Sequence, residues 1–325
     1  MKIYTDLAFL DAFCQAWMAP SAFSAESALL KEVQSKFLHL LTNGGTVYCA
    51  GIGPNLPQYN NQLLLQLNQL NCLRPLDSGV FHPDKIMDQC SNRSEISIFS
   101  SGNDKEGLLQ EALSGSGYFF FQQPPIADNL FAQIIVSYNR SKPKSWLFAG
   151  EMFNPHHSLI VADPHLYKED GAKGLILLLK IIQPKRIGYP YWITLVGSSG
   201  ERLHSNNLYN LDDIGKLAKT IEDLLGKDGL PFRVETFVYN GKDFHDRYII
   251  TNNLCVLPGY GVSIVKDGKE IPFKEGTWTA ARPFSRVVYN NKKGVYFEKV
   301  MHEKLKTIRQ WIGSGDRNGS GNPLL

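Results

Sequence analysis

His245 and Arg247 stand two residues apart in Phe244-His245-Asp246-Arg247-Tyr248-Ile249-Ile250-Thr251, a segment whose pattern predicts a β-strand over 246–251. Side chains alternate along a strand, so the imidazole and the guanidinium are expected on one face. That pair suits a phosphate. An imidazole can attack phosphorus or move a proton, and a guanidinium neutralises oxyanion charge through a planar fork of donors. Asn252 follows as the expected orienting group, and Asp163, closing a strand expected over 158–162, as a supporting carboxylate. Asp246 is a second candidate carboxylate. Ser198, in Gly197-Ser198-Ser199-Gly200, is a candidate phosphate-binding residue through its loop amides. The bland alternative is architectural: an arginine paired with Asp246 or Asp163, and a histidine capping a loop.

The elements that must position these groups alternate. In the first half, strands are expected over 2–5, 46–50, 95–100 and 117–121. Helices are expected over 7–17, 25–41, 61–73 and 105–113, with Asn43-Gly44-Gly45 stopping the second. In the second half, strands are expected over 158–162, 191–196, 232–239 and 246–251. Helices are expected over 171–182, 211–225 and 296–312. Asn240-Gly241 reads as the turn of a hairpin. Alternating strands and helices favour an α/β fold with helices packed on a parallel or mixed sheet. Gln122-Gln123-Pro124-Pro125 and Ser141-Lys142-Pro143-Lys144 interrupt the rhythm. The expected division is therefore 1–148, 149–312, and a flexible Gly/Ser-rich tail over 313–325.

His245-Asp246-Arg247 with Asn252-Asn253 reads His-x-Arg-x4-Asn, which resembles the His-x-Lys-x4-Asp signature of phospholipase D-type phosphodiesterases. The finer resemblance is to the phospholipase D-like carboxy-terminal domain of MIT-domain-containing proteins and its bacterial relatives. Gly259-Tyr260-Gly261-Val262 and Asp163-Pro164-His165-Leu166 also carry it, and it covers about residues 150–312. Residues 1–145 do not resemble a three-helix MIT domain. The resemblance implies a single phospholipase D-like half, a tendency to homodimerise and a surface that recognises phosphodiesters. The subfamily is regarded as degenerate in its catalytic signature. In an active relative one histidine attacks phosphorus and another protonates the leaving oxygen, so activity here would require His245 from two chains. Arg247 replaces the lysine as anion clamp, and Asn252 lacks the charge of the aspartate it replaces. His302-Glu303-Lys304 repeats the spacing, but Arg309 stands at the aspartate position. Phe297, Met301, Leu305, Ile308 and Ile312 mark that segment as a helix.

Charge separates the halves. Residues 1–150 hold 10 Lys+Arg against 12 Asp+Glu, and residues 151–325 hold 24 against 19. Arg282, Arg286, Lys292, Lys293, Lys299, Lys304, Lys306 and Arg309 face only Glu298 and Glu303 in sequence, with Phe284, Tyr289, Tyr296 and Phe297 interleaved. Such a strip suits a nucleic-acid backbone or an anionic membrane, and equally a solvated helix face. The leading expectation is a protein that binds or acts on nucleic acid, in a bacterial defence or mobile-element setting and within a larger complex. One alternative is a non-catalytic dimeric module for anionic lipid or a protein partner. Another is metal-dependent nuclease chemistry in the first half, from Asp6 with Asp104 or Glu106.

Cys14, Cys49, Cys72, Cys90 and Cys255 are odd in number and form no Cys-x-x-Cys, so reduced thiols are expected rather than a disulfide framework. Cys72, His82 and Cys90 match no common zinc spacing, and neither metal nor cofactor is expected. Gly51-Ile52-Gly53 lacks the third glycine of a dinucleotide fingerprint and reads as a tight turn. The amino terminus lacks a signal-peptide order, and the longest apolar run, Leu175 to Ile182, contains Lys180. A cytoplasmic location is the resulting expectation.

Overall fold

Strand β1 (Lys2–Asp6) sends Ile3 to one face and Tyr4 to the other, and both are buried. A strand sealed on both faces belongs to the interior of a parallel sheet. The computed structural model describes residues 1–18, 25–77, 81–82, 85–86, 88, 96–104, 106–123, 131, 134–137, 148–184, 190–198, 211–226, 232–258, 265–266, 269–270, 277–289, 291–313 and 320–325. The chain forms two compact units, Met1–Ala132 with Phe284–Glu298, and Gln133–Pro283 with Lys299–Leu325. The fold is α/β, with eight helices among the described residues.

In the first unit β1 pairs with β2 (Thr46–Ala50) and β4 (Ser97–Ser100); β3 (Leu73–Leu76) lies outside β2 and β5 (Phe119–Phe121) outside β4. All four pairings are parallel, in the order β3-β2-β1-β4-β5. Helices α1 (Leu7–Met18), α2 (Ala25–Asn43) and α3 (Gln62–Gln69) supply Phe9, Phe13, Phe37, Leu40 and Leu64 to the core cluster that includes Ile3, Val47 and Ile98. Helix α4 (Leu108–Gly115) supplies Leu109 and Leu113 to a second cluster with Tyr4, Phe99 and Tyr118. Tyr4 stacks between Tyr48 and Phe99, at 5.1 and 4.9 Å between ring centroids. Each such aromatic pair contributes about 0.5–1.5 kcal/mol beyond its buried area. The helix expected over 61–73 ends at Gln69, because Leu73–Leu76 pairs with β2 as a strand.

The second unit is built on a seven-stranded sheet. Strands β7 (Ser158–Ala162), β8 (Tyr191–Gly197) and β9 (Phe232–Val238) run parallel. Strands β10 (Tyr248–Thr251), β11 (Cys255–Pro258), β14 (Thr277–Ala281) and β6 (Ile134–Ser137) continue antiparallel from β7. Two short hairpins complete the strands: β12 (Val265–Lys266) with β13 (Lys269–Glu270), and β15 (Arg286–Tyr289) with β16 (Lys292–Tyr296), the latter in the first unit. Helices α5 (Phe148–Phe153), α6 (Glu169–Ile182) and α7 (Leu211–Leu225) pack on the face that carries Leu159, Val161, Ile193, Leu195 and Ile249. Helix α8 (Phe297–Gly313) reaches the opposite face, where Trp311 stacks on Tyr248 at 5.9 Å.

Three expectations need correction. Asn240-Gly241 does not join a hairpin: among the described residues β9 pairs with β8 alone, and β10 pairs with β7 and β11. The division after residue 148 separates β6 from β14, its sheet partner, and Phe284–Glu298 groups with the first unit. The flexible tail is fixed at its end. Asn322 is 2 % exposed and donates to Leu159 O and Thr194 Oγ1, and Arg309 donates to the backbone oxygens of Leu324 and Leu325. A buried amide with partners on two strands outweighs the freedom that glycine and serine give the local chain.

Candidate functional site

The carboxyl ends of β7, β8 and β9 and the amino end of β10 share one edge of the second sheet, since Tyr248 pairs with Ala162. In open α/β sheets this edge is where ligands bind. From β7 come Asp163, Pro164 and His165; from β8, Ser198; from β9, Tyr239 and the loop through Asp243 to Arg247.

Asp163 is 4 % exposed. Its Oδ1 accepts the amide of His165 at 2.8 Å and lies 3.5 Å from Nε of Arg247. The Arg247 side chain is 22 % exposed, and its Nε is buried beside Asp163. An arginine has five N–H donors in a fixed plane, and the contact with Asp163 engages the Nε side. His245 is exposed in the turn before the strand. The expectation that His245 and Arg247 share one face of a strand is corrected, because β10 begins at Tyr248 and both residues precede it. What fixes His245 is its neighbour. Phe244 is fully buried with its ring 4.5 Å from Trp311, and Asp243 accepts both Tyr239 OH at 2.7 Å and Trp311 Nε1 at 3.2 Å. No local pattern around His245 signals this clamp, since Trp311 lies on a distant helix.

Asn252 is not part of this edge. It follows the far end of β10, about 16 Å from Arg247 at the rise of an extended strand. There its Oδ1 accepts the amide of His157 at 2.9 Å. The role of Asn252 as orienting group is therefore corrected, for a short amide side chain cannot span a strand. Asp246 accepts Tyr248 OH at 2.5 Å, and the arginine contact recorded at this edge is with Asp163. Ser198 is fully buried; its amide donates to Pro164 O and its hydroxyl to Tyr239 O, so both groups are committed to joining the loops. Its expected phosphate role is corrected accordingly. Ser199 and Gly200 lie outside the described residues, as do Gly259-Tyr260-Gly261-Val262 and Cys90.

The residues of the basic strip are divided between the two units, and one of them is buried. Arg282 is 7 % exposed and donates to Asn253 O at 3.3 Å and Met152 O at 3.2 Å, and burial lowers its pKa to about 10. It is a core residue of the second unit, which removes it from the expected anionic-ligand surface. Arg286, Lys292 and Lys293 belong to the β15–β16 hairpin of the first unit, where Arg286 is exposed and donates from Nε to Gly294 O at 3.0 Å. Lys299, Lys306 and Arg309 are exposed on α8, though Arg309 is engaged by Leu324 and Leu325. His302 is also exposed on α8 and is no strand histidine.

The expected acidic cluster of the first unit is occupied structurally. Asp6 accepts Phe9 N at 2.8 Å, Gly102 N at 3.0 Å, Ser101 Oγ and Asn103 Nδ2; Asp104 accepts the amides of Leu109 and Gln110 at the start of α4. Among the described residues no group of three or more His, Cys, Asp or Glu could hold a metal ion. Among them, too, no helix is long and apolar enough to cross a membrane. No protein-family model matches the chain, and no curated protein matches it.

Proposed function

We propose that the second unit is a phospholipase D-like module that recognises phosphodiesters, with nucleic acid as its ligand class, and that it binds them without turnover. One observation carries this reading: a part-exposed Arg247, oriented by buried Asp163, stands at the carboxyl edge of the sheet with His245 two residues away in an exposed turn. A planar donor set matches the two oxygens of a phosphodiester, and the imidazole adds a hydrogen bond from the same loop. The remote position of Asn252 favours recognition over hydrolysis, because the imidazole lacks that orienting partner. Turnover would demand a second His245, supplied by another copy across a twofold axis.

The test is titration of the full chain into fluorescein-labelled single-stranded DNA and RNA at several salt concentrations, alongside bis-p-nitrophenyl phosphate with and without EDTA. Binding that weakens with salt, falls at least tenfold in Arg247→Ala and comes without hydrolysis supports the reading. Undiminished affinity in Arg247→Ala sinks it. Metal-independent hydrolysis abolished by His245→Ala would replace it with a phosphodiesterase, and binding only to anionic vesicles would replace nucleic acid with lipid.

A further inference from the structure

The first unit has a cavity that the second unit's chemistry does not use. Its strand order, β3-β2-β1-β4-β5, reverses direction beside β1, and at such a switch point the loops diverge and leave a crevice beyond the carboxyl ends of the strands. A cavity of about 440 Å³ opens there, lined by residues of the β1–α1 junction, the end of β2 and the loop after β4. That volume lies within the range of small-molecule sites. A separate cavity of about 540 Å³ lies along α1 beside Tyr59, and Asp11 lines both.

The lining states what would fit. Asp6, with its four donors, is held as a structural hub. Asp11 differs: its Oδ1 accepts Asn61 Nδ2 at 2.6 Å, and its Oδ2 has no partner among the described residues. Asn103 uses its Nδ2 on Asp6 and its amide on Ser101, which leaves its carbonyl oxygen as an acceptor. An occupant must therefore bring hydrogen-bond donors. No Lys, Arg or His lines either cavity among the described residues, and two carboxylates repel an anion, so a phosphate is disfavoured. The same negative field contributes to the raised pKa of the neighbouring Cys49 thiol, which burial first and then Asp6 and Asp11 push up to about 12. Phe81 and Tyr59 add ring faces, Tyr59 being fixed by the Gly53 amide on its hydroxyl at 2.6 Å. Gly51, at φ +82°, turns the chain away from the end of β2 beside the cavity, a conformation that a side chain would strain.

We propose that this cavity binds a ribonucleoside-class ligand, an aromatic base joined to a vicinal diol and carrying no phosphate, with Asp11 accepting the ribose hydroxyls. In dinucleotide-binding α/β sheets a carboxylate near the switch point accepts a ribose hydroxyl, though from a different position in the chain than Asp11. The rings offer stacking surfaces to the base.

Isothermal titration of the full chain with adenosine, guanosine, cytidine and uridine tests this. At least one should bind saturably, and its 5′-monophosphate and 2′,3′-dideoxy analogue should each bind at least tenfold more weakly. Asp11→Asn should lose at least tenfold with its thermal transition retained. Absence of binding by all four at millimolar concentration, equal affinity for the monophosphate, or full affinity in Asp11→Asn overturns the proposal. A response to magnesium chloride alone, with none to nucleosides, does so too. Should Asp11→Asn fail to fold, the two analogue comparisons on the unaltered chain decide the matter.

Discussion

Acidification should destabilise the second unit through one histidine. His156 is fully buried with Nε2 2.6 Å from Tyr191 OH, and burial pushes its pKa down to about 3, opposed in small part by the backbone of Phe153. In the unfolded chain the same imidazole titrates near 6.5. The folded value is the lower one, so between those limits the unfolded state binds more protons. Stability is therefore complete above about pH 6.5 and is lost as pH falls toward 3. Each pH unit below the unfolded value costs about 1.4 kcal/mol, so moving from pH 7 to pH 5 should remove about 2 kcal/mol through this residue. The carboxylates contribute their own acid sensitivity, and His156→Gln subtracts it: glutamine can still bond Tyr191 OH but does not titrate in this range. Urea unfolding of both proteins at pH 7 and pH 5, followed by circular dichroism and tryptophan fluorescence, should show the wild type losing about 2 kcal/mol more than the variant. Equal losses within about 0.5 kcal/mol would refute the assignment of His156 as a buried neutral imidazole.

Other consequences of the packing can be checked in the same way. A Cβ at Gly197 would stand 2.6 Å from the Tyr167 ring, whose hydroxyl is anchored on Leu195 O and Phe237 O, so Gly197→Ala should cost about 1–3 kcal/mol; an unchanged melting temperature contradicts the overlap. Arg282→Ala removes the donor from two buried carbonyls and should cost about 3 kcal/mol while leaving oligonucleotide affinity intact. The reverse pattern, affinity lost and stability kept, would return Arg282 to the ligand surface. Asn322→Ala breaks three buried hydrogen bonds, the one from the Leu324 amide included, and should cost about 2–3 kcal/mol and raise hydrogen exchange at residues 320–325, whereas unchanged exchange would mean the segment is not held there.

The elements were legible in part without the fold: the strands that alternate with helices were, whereas β3, β6, β11, β14, the two short hairpins and helix α5 were not. Ser158–Ala162 and Leu211–Leu225 fall where the pattern places them, and α1, α6 and α8 agree to within two residues at each end. Hydrophobic periodicity is a local record of which face will be buried, and it survives in any sheet order. The α/β class follows from the same rhythm, and so does the presence of Arg247 and His245 in one short segment.

Pairing order was not written locally. That β10 inserts between β7 and β11 is a contest among strands far apart in the chain, and it brings Arg247 to Asp163 while sending Asn252 to the opposite end. Burial of the polar residues was equally hidden: Arg282 and Asn322 carry no sign in sequence that backbone carbonyls await them. The sequence by itself determined most helices and the strands that alternate with them, because their apolar faces depend on neighbours three or four residues away in a helix and two in a strand. Only the tertiary structure decided which charged groups meet and which are enclosed, because those depend on atoms brought together by the register of distant strands.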